Sequence, residues 1–158
     1  MAADNERFMR RAIRLAEEKM AANEGGPFGA LIVKNGNLVA EGWNRVTRAN
    51  DPTAHAEIVA IRRACRRLHT FRLDDCVIYT SCEPCPMCLA AIYWARLGYV
   101  YYGNSRGQAA AIGFDDAEIL DQIRCHDSAR KLPMIRLLPE EAHRAFDAWI
   151  VKPDKTPY

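Results

Sequence analysis

A chain of 158 residues, 49% apolar and 27% charged, is long enough to bury one substantial core, and this composition excludes a disordered or fibrous protein. Its 22 Lys and Arg stand against 20 Asp and Glu, a net charge of +2, so no global field calls for a nucleic-acid partner. Residues 1–7 hold acids and no apolar leader, and no run has the length of a membrane span; the expectation is a cytoplasmic protein with no membrane attachment and with reduced thiols.

Residues 7–22 read as an amphipathic helix with Met9, Ile13, Ala16 and Met20 on one stripe, ended by Gly25-Gly26-Pro27. Apolar, β-rich runs at 28–33 and 38–43 flank Lys34-Asn35-Gly36-Asn37, and an Asn-Gly so placed predicts a hairpin. Asn50-Asp51-Pro52-Thr53 starts a helix over 54–69. Its inward stripe is Ile58, Ile61, Cys65 and Leu68, and Arg62, Arg63, Arg66 and Arg67 take the solvated faces. A buried strand at 77–80, a helix from near 84–86 to about 97 and a strand at 99–102 follow. A helix at 116–124, a strand at 134–138 and a helix at 139–151 complete the order. It predicts an α/β fold, a three-layer α/β/α sandwich around a mixed five-stranded sheet. Residues 1–151 are expected to form a single domain and 152–158 a polar, proline-broken tail.

The chemistry concentrates at two predicted helix starts, His55-Ala56-Glu57 and Pro84-Cys85-Pro86-Met87-Cys88. Imidazole and thiolate are preferred zinc ligands, and Cys85 and Cys88, three apart, share one helix face. A helix N-terminus also favours the thiolate that zinc requires. His55, Cys85 and Cys88 make three ligands; Cys82 lies before the helix that presents the pair and is not counted. Three ligands leave an open position for water, and zinc lowers the pKa of that water from about 15.7 to about 7. One zinc with a bound water or hydroxide is therefore expected per chain. Glu57, two residues from His55, is placed to take a proton from that water and deliver protons to the ring nitrogen and the departing ammonia. His-x-Glu with Pro-Cys-x-x-Cys is the signature of nucleobase zinc deaminases, in which the Glu is acid and base and not a ligand. The plainer readings are a capping His55, a redox pair at Cys85 and Cys88, and a helix-dipole role for Glu57. The combined spacing outweighs them. His69, His126 and His143 show no ligand spacing, and Cys65, Cys76 and Cys125 read as core.

His55-Ala56-Glu57 with Thr80-Ser81-Cys82-Glu83-Pro84-Cys85-Pro86-Met87-Cys88 resembles the cytidine deaminase superfamily. The likeness also covers Gly25-Gly26-Pro27-Phe28-Gly29-Ala30, Asn50-Asp51-Pro52-Thr53-Ala54, Ala91-Ile92-Tyr93-Trp94-Ala95-Arg96, Gly113-Phe114-Asp115-Asp116 and Tyr158. Within the superfamily the chain is most similar to the small bacterial guanine deaminases. That resemblance implies hydrolysis of guanine to xanthine and ammonia by a homodimer whose C-terminal segment crosses to the partner's site. It implies that Asn44 binds the purine, that Phe28 stacks on or borders it, and that Ala56 and Trp94 line the pocket. It further implies that Asp116 recognises the guanine edge and Tyr158 seals the partner's site. A carboxylate suits that edge, because guanine offers N1–H and the 2-amino group as donors and an ionised carboxylate only accepts.

Residues 103–112 are poorer in acids than the resemblance leads one to expect. Other aminated rings (a guanine nucleoside, a triazine, a cytosine-type base) therefore stay open as substrates. A tRNA adenosine deaminase is the alternative that shares the zinc motif and the first half of the chain. A zinc-stabilised binding module without catalysis is the remaining class, in which Glu57 would be dispensable.

Overall fold

The computed structural model describes residues 2–157, which divide into two compact units, one up to Glu118 and one from Ile119 onward. In the first, α1 (Ala2–Ala21) precedes a hairpin of β1 (Gly29–Lys34) and β2 (Asn37–Trp43). Asn35 and Gly36 turn it with φ of 50° and 74°, the paired positive values that let a two-residue turn follow the twist of its strands. A short α2 (Val46–Ala49) leads to α3 (Ala56–Leu68), then β3 (Cys76–Cys82), α4 (Pro86–Trp94), β4 (Tyr99–Asn104) and α5 (Arg106–Ala111).

The strands lie in the order β2-β1-β3-β4; β3 and β4 are parallel and the other pairs antiparallel. On one face Ala30, Ile32 and Ile78 pack with Ala56, Ala60 and Ala64 of α3 and Ile92 of α4; on the other, Leu31, Val33 and Tyr79 pack with Phe8, Ala12 and Leu15 of α1. This is the expected three-layer α/β/α sandwich around a mixed sheet, with four strands where five were expected. Residues 134–138 form no strand: Met134, Ile135 and Leu137 are exposed and Leu138 turns left-handed at φ 50°. An extended run becomes a strand only when a neighbour takes its N–H and C=O groups, and this one pairs with no described residue.

Two helix faces differ from the sequence reading. In α1 the buried stripe is Phe8, Ala12, Leu15 and Ala16, while Ile13 and Met20 are exposed and Met9 is half-buried. Phe8, Ala12 and Leu15 satisfy the same helical spacing, and the Phe8 ring meets Tyr79 at 5.3 Å. In α3 the innermost positions are alanines, with Ile61, Cys65 and Leu68 at the margin of the core. Nor do Arg63 and Arg67 simply point to solvent. Their Nη1 groups donate to Glu41 O at 2.9 Å and Val39 O at 3.0 Å, covering carbonyls of β2, the strand at one end of the sheet order. Edge carbonyls left bare would invite another strand.

The second unit holds most of α6 (Ala117–Arg124), a 3-10 turn at Asp127–Ala129 and α7 (Pro139–Val151). None of its described residues is buried, and Leu132, Ile135, Phe146, Ile150 and Val151 all stand exposed. No helix among the described residues is long and apolar enough to cross a membrane.

Candidate metal centre

The centre forms where two helices begin. His55 is the N-cap residue of α3, with extended φ and ψ of −68° and 158°, so its ring projects from the helix end. Cys85 caps α4 in the same conformation, Pro86 follows at the first helical position, and the Cys88 N–H donates to Cys85 Sγ at 3.5 Å. The proline has no N–H to leave unpaired, so the turn opens on the two sulfurs. His55 Nδ1 lies 3.6 Å from Cys85 Sγ and 3.6 Å from Cys88 Sγ, and the three ligand atoms all fall within 4.8 Å of one another. A tetrahedral zinc with ordinary Zn–N and Zn–S bonds separates nitrogen from sulfur by about 3.5–3.6 Å, which both nitrogen–sulfur distances match. Cys82 stays outside it, its thiol turned to Ser105 O at 3.8 Å.

The electrostatics suit a cation. Cys85 is pushed down to about 4, foremost by its hydrogen bond with Cys88 and then, against its burial, by His55. Cys88 moves the opposite way for the same bond and for burial, so the pair keeps one proton on Cys88 and a thiolate at Cys85. The bond to Cys85 raises His55. Glu57, on the first turn of α3, is buried, and burial lifts its carboxyl above the usual range; Thr80 Oγ1 donates to its Oε1 at 3.4 Å. A desolvated carboxyl beside a ligand set is the arrangement expected of a proton carrier.

Residues 2–104 match the cytidine and deoxycytidylate deaminase zinc-binding region. The chain belongs to this deaminase family. It is an enzyme of the zinc-dependent hydrolytic class, and zinc is its cofactor. It is similar to the guanine deaminase of Bacillus subtilis, 51% identical over 146 residues, 92% of this chain and 94% of that one. The X-ray structure of that guanine deaminase superposes with a TM-score of 0.94 at 50% identity, covering 97% of this chain and 98% of the other. A tRNA-specific adenosine deaminase of Haemophilus influenzae is 39% identical over 118 residues, 71% of this chain and 68% of its own length.

Around the deaminase centre the other expected residues are placed unequally. Asn44 is buried, and its Oδ1 accepts from Gly26 N and Val46 N, both at 3.2 Å, leaving its amide NH2 to donate. Phe28 meets Phe114 edge-on at 4.9 Å, and Ala56 is fully buried beside His55. Asp116 is gripped by Arg106. Burial, foremost, raises the Cys82 thiol. Trp94 stands apart: it ends α4, about 9 Å along the axis from Cys88, and is 68% exposed. Tyr158 lies outside the described residues. Sequence reasoning missed Thr80, Phe114 and Arg106. Thr80 and Phe114 fall within the stretches that carry the resemblance, and the Ser105-x-x-Gln108 capping box marks the helix that opens at Arg106.

Proposed function

We propose that this deaminase hydrolyses guanine to xanthine and ammonia, with His55, Cys85 and Cys88 holding one zinc. When bound, the zinc supplies the Lewis acidity that makes water nucleophilic at neutral pH. The net change replaces the C2 amino group of guanine with oxygen from water. Glu57 takes a proton from the water as oxygen adds to C2 and delivers it to the ring nitrogen; it then takes the remaining proton from the new C2–OH as the C2=O bond forms and gives it to the amine, which leaves as ammonia when the C2–N bond breaks. Its burial among α3, β3 and the ligand residues keeps bulk water from competing for those protons. Phe28 borders the ring, the Asn44 amide donates to it, Ala56 leaves room for it, and Asp116 accepts from the N1–H and 2-amino edge. A base without those donors leaves the acceptor capacity of Asp116 that Arg106 does not use without a partner, which disfavours it against guanine.

The choice of base is carried by the reach of the likeness: it extends through Asp116 in the Bacillus subtilis guanine deaminase, whereas the matched zinc-binding region ends at residue 104. The same reading makes the enzyme a cytoplasmic homodimer acting in purine metabolism, with 152–158 crossing over and Tyr158 closing the partner's site. The exposed apolar side chains of the second unit, Leu132, Ile135, Phe146, Ile150 and Val151, with none of its described residues buried, support a subunit contact. Trp94, exposed on a single chain, joins a purine site only where a second chain covers it. Ammonia release from guanine, guanosine, adenine, cytosine, cytidine and aminated triazines, with and without chelator, tests the assignment. Guanine is expected to give the highest kcat/KM and chelator to abolish it; a different preferred ring would overturn the reading.

A further inference from the structure

We propose that Arg106 is a positioning residue for substrate selection: its guanidinium fixes the carboxylate of Asp116 and ties it to the metal-bearing segment. The inference rests on the assignment of Asp116 to the guanine edge. Asp116 lies just before α6, after a loop that turns through Gly113 at φ 94°, and no regular element holds its side chain. Arg106 does. Nε donates to Oδ1 at 2.9 Å and to Oδ2 at 3.1 Å, and Nη2 donates to Oδ1 at 2.7 Å. The two side chains are only 26% and 19% exposed, unlike the solvated pairs that contribute little.

Arg106 is itself held from behind. Ser105 and Gln108 form a complete capping box that sets the first turn of α5, and the Arg106 N–H donates to Glu83 Oε2 at 3.1 Å. Glu83 is two residues from Cys85, and its own N–H donates to Asn104 O at 2.8 Å. Glu83, Arg106 and Asp116 thus form a continuous chain from the cysteine segment to the proposed acceptor. The grip falls mainly on Oδ1, and a carboxylate accepts along about four lone-pair directions, so Oδ2 keeps capacity for a substrate donor. The planar fork fixes direction as well as distance, which an ammonium does not. The substrate class it suits is a ring with adjacent N–H and amino donors.

The test is a double-mutant cycle on the full-length, zinc-loaded protein, reading kcat/KM for guanine in R106Q, R106K, D116N and R106Q/D116N, with zinc content measured in each. R106Q is expected to lose about 10- to 100-fold, the scale of a small misplacement of a binding group. R106K should restore only part of it, and R106Q/D116N should be no worse than D116N alone. Additive losses, or an R106Q at the wild-type rate beside an impaired D116N, would overturn the role of Arg106 and leave Asp116 in place. A D116N at the wild-type rate would remove the assignment of Asp116 itself and the inference with it. Should R106Q lose fold or zinc, the cycle is read with R106K and R106K/D116N, where additivity again overturns the proposal.

Discussion

Gly42 is where the fold and the metal centre depend on one close approach. It lies on β2 against the start of α3, and a Cβ there would sit 2.2 Å from Ala56 O, 2.5 Å from Ala60 N and 2.9 Å from Ala60 Cβ. The first two are backbone atoms, which no rotamer change moves. Ordinary contact begins at 3.4 Å, so Gly42→Ala drives the first turn of α3 outward by about 1 Å. Overpacking of this kind costs about 1–3 kcal/mol, or roughly 2–12 °C in Tm for a chain of this size. That turn also bears His55 and Glu57, so metal binding should suffer beyond the loss of stability. Loss of the contacts that orient metal ligands costs about 10- to 100-fold in metal affinity. Gly29→Ala supplies the control. Its Cβ would meet Ala12 O at 2.5 Å and Ala16 N at 2.9 Å, backbone of α1 on the opposite face of the sheet. Both variants are expected to melt earlier in thermal denaturation, but only Gly42→Ala should release zinc to a competing chelator more readily. Equal zinc affinity in the two variants would refute the idea that this contact sets the ligand geometry.

Glu57→Gln keeps the shape of the side chain and removes its proton chemistry, so kcat should fall about 10²–10⁴-fold with zinc content unchanged; a wild-type rate would return the site to a structural role. Burial raises the Glu57 carboxyl, so ionisation costs the metal-free fold more as pH rises through that raised value, and Gln escapes the cost. The Tm of chelated Glu57→Gln relative to wild type should therefore climb from pH 5 to pH 8, and a flat difference would contradict the sign. In chelated protein Cys85, held at about 4, should alkylate at a nearly constant rate down to roughly pH 5 while Cys88 stays unreactive, as read by mass spectrometry. Reactivity appearing only above about pH 8 would mean an ordinary thiol. Deleting residues 152–158 should lower kcat/KM on guanine without changing zinc content, and an unaffected value would exclude a lid at that end.

The parts of the fold legible in the sequence are those fixed by short-range chemistry. Asn35-Gly36 supplies two positive φ values between β-rich runs, and the turn forms where they stand. The helix over 139–151 begins at Pro139 as its sequence suggests. Residues 134–138 have strand composition but no strand, because pairing depends on a neighbour and not on local preference. The α1 face is ambiguous in sequence because Phe8 and Met9 head two stripes of equal helical period, and only the position of Tyr79 decides between them. The arginines of α3 show the same limit: their charge predicts exposure, and their length lets Arg63 and Arg67 reach the carbonyls of the edge strand.

The same distinction runs through the site. Cys85 and Cys88 share one turn, and His55 is two residues from Glu57, so two short segments carry in readable form the group that could hold the metal. Joining the segments takes the sheet, since β3 delivers α4 to the N-terminus of α3. Nearness in sequence then misleads: Trp94 shares a helix with both cysteines, yet nine residues of helix carry it to the opposite end. Distance in sequence misleads as well. Arg106 and Asp116 are ten residues apart, and they meet because the loop after α5, turning through Gly113, brings the chain back to the first residue of that helix. A motif therefore names the reaction from a few adjacent residues. If Asp116 reads the ring, as proposed, its position is set by Arg106 at the start of α5, which Glu83 anchors to the cysteine segment, and selectivity and chemistry would then be mechanically linked although no motif contains both.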